Sequence, residues 1–597
     1  MTREFRDASS MTRRGFVTGA AAVGACVVAT SAQAAETTPA AKKAVKEMSD
    51  TADTSDSTAA LNDASVAQHA WSFEIAPEPI EERMIADVVS ADVVVVGAGT
   101  SGLITAVSAA EAGLDVVVVT ASAAPVARGG SNNAINCKAM EQAGVDPIKP
   151  FQIQKEIFYA GNQVDERKWY QHFNHSEEAM NWVIDLMEGA GYKVKVEQGT
   201  PSEDDYLYHE SCSIGWEYGD DMVPDPDIPQ GTGMMQPLLV RELARHLTED
   251  LGCKVFYKTK GEQLVRETDA GKPGRVTAVV CSREDGTYAR YEASKEVVLA
   301  TGDFSANRDM MYRYAPSYAP YISDDIYDGE TNYDVSFQYG GLYKGEGHQM
   351  GLWVGAAWQK VFPNCVMGGF YGPGPRNLYS NFLGLLVNRD GERFMNEDCL
   401  SPCAGMNNFG QPGKTVFAIW DTAYARQETV SGSWNNDSMH AGDAEEVARE
   451  VVASWDKAVA GGTMVKANTL EELIDELGLP KETLATVDRY NDLAKAGCDD
   501  DFHKPSEHLH PIEEGPFYGQ SSGGMLVFLT VLGGLNTDAH MRVCDADDRP
   551  IPGLYNVGTM VGDMFATNYT FMTEGANYGA NCITFGYLTG KYIAENE

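Results

Sequence analysis

The chain has 597 residues, 43% of them hydrophobic and 10% aromatic, enough apolar material for a large core and two or three domains. Its formal net charge of -40 at pH 7 argues against nucleic acid or an anionic lipid surface as a partner, because long-range repulsion opposes the encounter. A small molecule, or a basic protein, fits that charge better.

Thr12-Arg13-Arg14-Gly15-Phe16-Val17 precedes an apolar run to about Ala32, and Ala32-Gln33-Ala34 has the small-x-small pattern of a cleavage site. Residues 1–34 therefore read as a twin-arginine export signal, which predicts an extracytoplasmic protein of the cell envelope. A transmembrane anchor is the alternative, but the run is short for one; lipid attachment at Cys26 is another. Because this route exports folded proteins, the signal also hints at a bound cofactor. From Ala35 to about His69 the chain is Ala, Thr, Ser, Asp and Lys with few large apolar residues, and it predicts a flexible linker over 35–87.

At Ala91 the character changes to DVVVVGAGTSGLITAVSAAEAGLDVVVVT. The apolar run ending at Val96 suits a strand buried on both faces. Leu103, Ala106, Val107 and Ala110 recur at helical spacing, Gly113 can close that helix, and Leu114 to Val119 is a second buried strand. This is a βαβ unit, and its turn is Gly97-Ala98-Gly99-Thr100-Ser101-Gly102. The three glycines allow a tight turn, close approach of backbone to a pyrophosphate, and close helix–strand packing, with the phosphates at the helix N-terminus. The acidic residue that usually holds the adenosine ribose at the end of the second strand is absent. Thr120 stands there, which weakens the case for NAD and leaves FAD as well supported as before.

Further stretches line up with one family: Arg128-Gly129-Gly130-Ser131, the hairpin pattern over 274–307, YKGEGHQMG at 343–351, LLVNRDGERFMNE at 385–397, and IPGLYNVG through GANYGANCITFG at 551–586. Together they resemble the flavoprotein subunits of fumarate reductases and succinate dehydrogenases and their relatives, urocanate reductase and flavin-dependent 3-ketosteroid dehydrogenase. The resemblance implies an α/β fold, a discontinuous Rossmann-like FAD-binding domain with an inserted α+β capping domain. Here that means 88–320 and 505–597 for the FAD-binding domain and 321–504 for the cap. It implies flavin contacts at Ala300-Thr301-Gly302-Asp303, where the family has ATGG, and at Asn577-Tyr578-Gly579, with Gly558 nearby. No His occurs between Thr120 and Gly130, so FAD is expected to be non-covalent. The chain has no CxxCH for haem, so electrons are expected from a separate donor, a membrane-bound multihaem cytochrome c that would also tie the protein to the membrane.

The family's proton-donating Arg falls on Ser401, its carboxylate-binding His near Leu529-Thr530, and its second carboxylate-binding Arg on Tyr569 or Thr573. All three cations are gone. A buried dianion without them would stay unpaired at a cost of several kcal/mol, so a large neutral acceptor fits better than fumarate; the resemblance, narrowed by the twin-arginine head, the missing haem motif, the Tyr-bearing C-terminal loop and the many cysteines, implies the unsaturated lactone of a cardenolide. Reducing such an alkene needs hydride, carbonyl polarisation and a proton. Tyr569 is the first candidate for polariser or acid, and His348 the second. Tyr333 is a third, with ordinary packing as its alternative. Ser401 is a fourth; as Ser-Pro it equally well starts a helix. Cys399 and Cys403, among eleven cysteines, can form a disulfide or ligate a 4Fe-4S cluster with cysteines from elsewhere. Other readings are a reductase of urocanate, a cinnamate or fumarate, a 3-ketosteroid dehydrogenase, and, from another class, a flavin electron carrier.

Overall fold

The computed structural model describes residues 71–127, 130–159, 163–198, 212–228, 235–269, 272–334, 342–365, 369–370, 374, 382, 384–399, 401–426, 444–522, 526–527, 530–565, 569 and 575–596. The export signal, most of the linker and Gly129 lie outside them. The packed part of the chain begins earlier than the sequence predicts. Phe73, inside the expected linker, is 1% exposed in a cluster with Phe304, Met310 and Met311. One buried ring in a polar stretch leaves no periodic signal.

The main sheet is built around the strand Ile85–Val96. On one side it pairs in parallel with Val116–Val119, and that strand with Lys254–Phe256. On the other side it pairs in parallel with Tyr288–Leu299, and that strand with Pro550–Asn556 from near the C-terminus. Arg542–Cys544 closes this edge antiparallel. The long hairpin Thr259–Asp269 and Lys272–Arg283 joins through Tyr288–Leu299. Val93 to Val96 are no more than 3% exposed, as a strand covered on both faces requires. Because these strands run the same way, the residues that follow them, Gly97, Thr120, Ala300 and Val557, emerge at one edge.

The helix Thr100–Glu111 packs on this sheet and against the C-terminal helix Phe585–Asn596. Small residues set that distance: a Cβ on Gly590 would lie 2.6 Å from Ala109 N, and one on Gly586 2.9 Å from Ile104. Gly113, at φ +94, turns the chain out of the helix as its position predicts.

The cap is a separate antiparallel sheet in the order Leu385–Asn388, Val416–Asp421, Phe517–Ser521, Val465–Ala467. Alternate residues face its two cores: Leu386, Ala418 and Trp420 one way, Leu385, Val387, Phe417 and Ile419 the other. Its strand Phe517–Ser521 lies past residue 504, where the sequence expectation ends the capping domain. Ser401 and Pro402 begin the helix Ser401–Phe409, the position that Ser-Pro favours.

Candidate active site

The edge where the parallel strands end opens into a cavity. Gly97 N donates to Val119 O (2.8 Å), Ala300 N to Val96 O (2.9 Å) and Val557 N to Leu299 O (3.0 Å), which fixes the three loops side by side. Gly97 has φ +116, and a Cβ there would lie 2.3 Å from Ala300 O. One on Gly102 would lie 2.0 Å from Gly97 O. At Gly99 the nearest atom, Val126 O, is 3.6 Å away, so this glycine turns an open backbone face to the cavity. The three positions thus divide into turn, ligand approach and helix packing.

Ala98, Thr100, Ser101, Thr120, Gly130 and Ser131 line the same cavity, and so do Ala300 to Asp303, Asn577 and Tyr578. Gly102, Gly558 and Gly579 support its walls from behind: their added Cβ atoms would strike Gly97 O, Ser101 Oγ and Asn133 O. Ser122 Oγ donates to Ala124 O at 2.7 Å, so in its 2.9 Å contact with Ser122 it is Thr120 that donates, keeping a lone pair for a ribose hydroxyl. Thr559 Oγ1, in the cavity wall, is buried with no protein partner. These features fit FAD: Gly99 to Ser101 would hold the pyrophosphate, Thr120 the ribose, and Ala300 to Asp303, Thr559, Asn577 and Tyr578 the ring system.

Two of the predicted catalytic residues share this cavity. Tyr569 is 5% exposed, and its hydroxyl oxygen accepts from Asn577 N at 3.2 Å. Tyr333 donates to Glu346 Oε1 at 2.6 Å and stacks on Tyr343, ring centroids 6.3 Å apart. Burial first, then the neighbouring Glu346 charge, push the Tyr333 phenol above its ordinary pKa, so it keeps its proton at neutral pH. Glu346, Tyr343, Thr559, Thr530 and the start of the strand Thr259–Asp269, residues Thr259 to Gly261, complete the wall. Glu346 lies within the quoted KGEG, but nothing in its spacing marked it as a partner of Tyr333.

His348 does not line the cavity among the described residues. It lies two positions beyond Glu346 on the helix Glu346–Trp353, about 200° round the axis, and turns into a core between Phe304 and Trp358. Its Nε2 lies 3.2 Å from Gly533 O, and burial pushes its pKa down to about 4. It is a neutral core histidine, not a proton donor. His172 is a second one, between Thr584 and Asn133, with burial holding it at about 3. Both take up protons on unfolding but not in the fold. Stability is therefore expected to fall from the ordinary histidine pKa near 6.5 downward, by about 1.4 kcal/mol per pH unit for each. Melting temperature from pH 7.5 to 4.5 checks this, and His172→Gln should remove part of the slope; an unchanged slope would contradict it.

The side chains of Ser401 and Cys403 are outside the described residues. Cys399 packs, partly buried, against the apolar core of the cap. No group of three or more His, Cys, Asp or Glu able to hold a metal gathers among the described residues, so the 4Fe-4S expectation finds no support there.

Sheet, glycine turn and cavity define a flavin-binding oxidoreductase. Residues 92–571 match the FAD binding domain family, and the chain belongs to it, within the fumarate reductase and succinate dehydrogenase flavoprotein superfamily. It is an FAD-dependent oxidoreductase acting on CH–CH groups. It is 24% identical to vinyl phenol reductase of Lactiplantibacillus plantarum over 84% of this chain and 95% of that one. It is also 24% identical to urocanate reductase of Eggerthella lenta, over 85% and 74%. Among solved structures it shares its fold with a 3-ketosteroid-Δ4-(5α)-dehydrogenase from Rhodococcus jostii (TM-score 0.61, 22% identity, 87% of this chain and 100% of that one). A flavocytochrome c3 fumarate reductase in its open conformation shares it too (TM-score 0.56, 20%, 85% and 79%).

Proposed function

We propose that this protein is an exported reductase of the activated C=C bond in a large, neutral α,β-unsaturated carbonyl compound or lactone. The narrower resemblance is to the cardiac glycoside reductases of gut actinobacteria, and a cardenolide of the digoxin type is the substrate we put first. The carrying observation is the charge of the cavity wall. Among the described lining residues Asp303 and Glu346 are acidic, and the one cation is Lys260, which pairs with Glu262 at 3.3 Å on the strand beside Thr120. Among the described lining residues a dicarboxylate would meet two acidic side chains, while Lys260 is already engaged by Glu262.

FAD held in this cavity and reduced by two electrons would supply the hydride for the β-carbon. Tyr569 polarises the carbonyl or gives the proton, and Tyr333, held by Glu346, lines the approach. Electrons arrive from a separate multihaem cytochrome c, since the chain has no haem motif and its strong negative charge suits a basic partner. The twin-arginine head supports a reaction in the cell envelope. Tyr333 and Tyr569, two of the tyrosines in the wall, favour one second reading, 3-ketosteroid dehydrogenation.

The test uses mature, FAD-loaded protein under anaerobic conditions and follows reoxidation of a reduced viologen with a cardenolide, fumarate, urocanate or a 3-ketosteroid. The lactone is expected to exceed fumarate by roughly 100-fold in kcat/KM, the discrimination that one uncompensated buried charge supports. Preferred turnover of fumarate would overturn the reading, and no substrate-dependent reoxidation at all would favour an electron carrier.

A further inference from the structure

Asn581 bonds an unusual partner. It lies in the middle of the π-helix Asn577–Thr584, is 0% exposed and does not line the cavity among the described residues. Its Nδ2 donates to Asn577 Oδ1 at 3.0 Å, four positions back on the same helix. Its own Oδ1 is buried with no partner among the described residues, a destabilisation that an apolar side chain of the same shape would avoid. What the amide fixes is the orientation of Asn577.

Asn577 stands in the cavity wall and is 9% exposed. An asparagine near a helix start ordinarily accepts from a backbone N–H; here the carbonyl accepts from Asn581 instead, and the backbone N–H donates to Tyr569 Oη at 3.2 Å. With both groups engaged, Nδ2 is the polar atom left to the cavity, and it has no partner among the described residues. Without the bond from Asn581 the amide could turn over and offer its carbonyl. The helix itself is fixed: Thr584 Oγ1 donates to Gly579 O at 2.8 Å and is held by His172 at 2.9 Å, and a Cβ on Gly579 would lie 2.1 Å from Asn133 O. Thr559 Oγ1 is a second unpartnered donor in the same wall. Donors aimed where charge develops act strongly in a water-poor site, and the pyrimidine half of a flavin is such a place, because two-electron reduction leaves negative charge over N1 and the C2 oxygen.

We propose that Asn581 is a positioning residue for the flavin: it holds the Asn577 amide with its N–H donors toward the cavity, where they would favour reduced over oxidised cofactor and raise the reduction potential. The role concerns the flavin that every substrate reading shares, so it stands or falls apart from the choice of acceptor.

The experiment compares FAD-loaded wild type with Asn581→Leu, Asn577→Ala and the double variant in the mature chain. The midpoint potential is read from the flavin absorbance against a reference dye, with the melting temperature of the apoprotein beside it. For a variant that loses FAD on purification, the dissociation constants of oxidised and reduced FAD for the apoprotein give the same ratio. Asn581→Leu is expected to weaken the preference for reduced FAD ~10-fold, which lowers a two-electron midpoint by ~30 mV, the lower end for one hydrogen bond to a charged acceptor. Because Asn581 acts through Asn577, the double variant is expected to match Asn577→Ala with no further shift. A wild-type midpoint in Asn581→Leu, whether or not the melting temperature falls, overturns the proposal, and so do shifts that add in the double variant. If Asn581→Leu does not fold, Asn581→Ala is measured in its place; should that variant also fail to fold, Asn581 serves packing and the proposal fails.

Discussion

Tyr569→Phe is expected to lower kcat for alkene reduction by about 10²–10³-fold while FAD stays bound, the loss typical of removing one positioned donor from a water-poor site. The side chain is fixed from three directions. Its oxygen accepts from Asn577 N, a bond that uses a lone pair and not the phenolic proton. Its ring meets Phe565 at 4.9 Å, and Phe565 meets Trp169 edge-on at 5.5 Å. Trp169 Nε1 donates to Met564 O at 2.8 Å, and the buried Lys168 to Gly562 O at 2.6 Å, so the helix Glu166–Gly189 holds the segment leading to Tyr569. The phenylalanine variant keeps the ring contacts and loses only the hydroxyl. It also leaves the Asn577 N–H without this acceptor, which costs about 1–3 kcal/mol and should lower the melting temperature. Single-turnover reoxidation of the reduced enzyme separates the two effects. Wild-type rates with lowered stability would mean that Tyr569 serves packing alone.

Arg393→Met is expected to destabilise the cap by about 3–5 kcal/mol, the loss on breaking a buried ion network by removing one partner. Arg393 bonds Glu397 through Nε and Nη2 at 2.9 and 2.8 Å, and Asp499 through Nη1 and Nη2 at 3.0 and 2.8 Å. Both carboxylate side chains are 0% exposed. Its guanidinium also lies over Tyr490 and Phe502. Lys504 completes the set, 3.5 Å from Glu397 and bonded to Gly384 O and Tyr490 Oη. Without Arg393 two buried carboxylates share one lysine. Burial raises the pKa of Asp499, but Arg393 and the amides of Lys504 and Phe502 outweigh it and hold it at about 2. That stabilisation is complete above the ordinary carboxylate range and is lost as pH falls toward 2. Denaturant unfolding of the FAD-loaded variant gives the measurement; a change under about 1 kcal/mol would show that water reaches the network.

Much of the nucleotide-binding half was legible because its signals are local. The spacing of Gly97, Gly99 and Gly102 between two valine-rich runs states both a turn and the reason for it, and Thr120 could be judged from its place at the end of the second strand. The catalytic candidates were less legible. Tyr333 and Tyr569 could be nominated from segments resembling a family, but so could His348, and neighbours on one helix face opposite ways. The NRDGERFMNE stretch held two of the best-buried charges of the cap, Arg393 and Glu397, which in sequence look like solvated surface because their partners Asp499 and Lys504 lie far along the chain.

The sequence by itself determined the βαβ beginning and the family, since each depends on residue type at short spacing. Only the tertiary structure decided that Pro550–Asn556 joins Tyr288–Leu299 in one sheet, that Glu346 accepts the hydrogen bond of Tyr333, and that Asp303 is tied to Thr530. Such pairings depend on which faces are buried together, and burial is a property of the whole fold that local spacing does not carry.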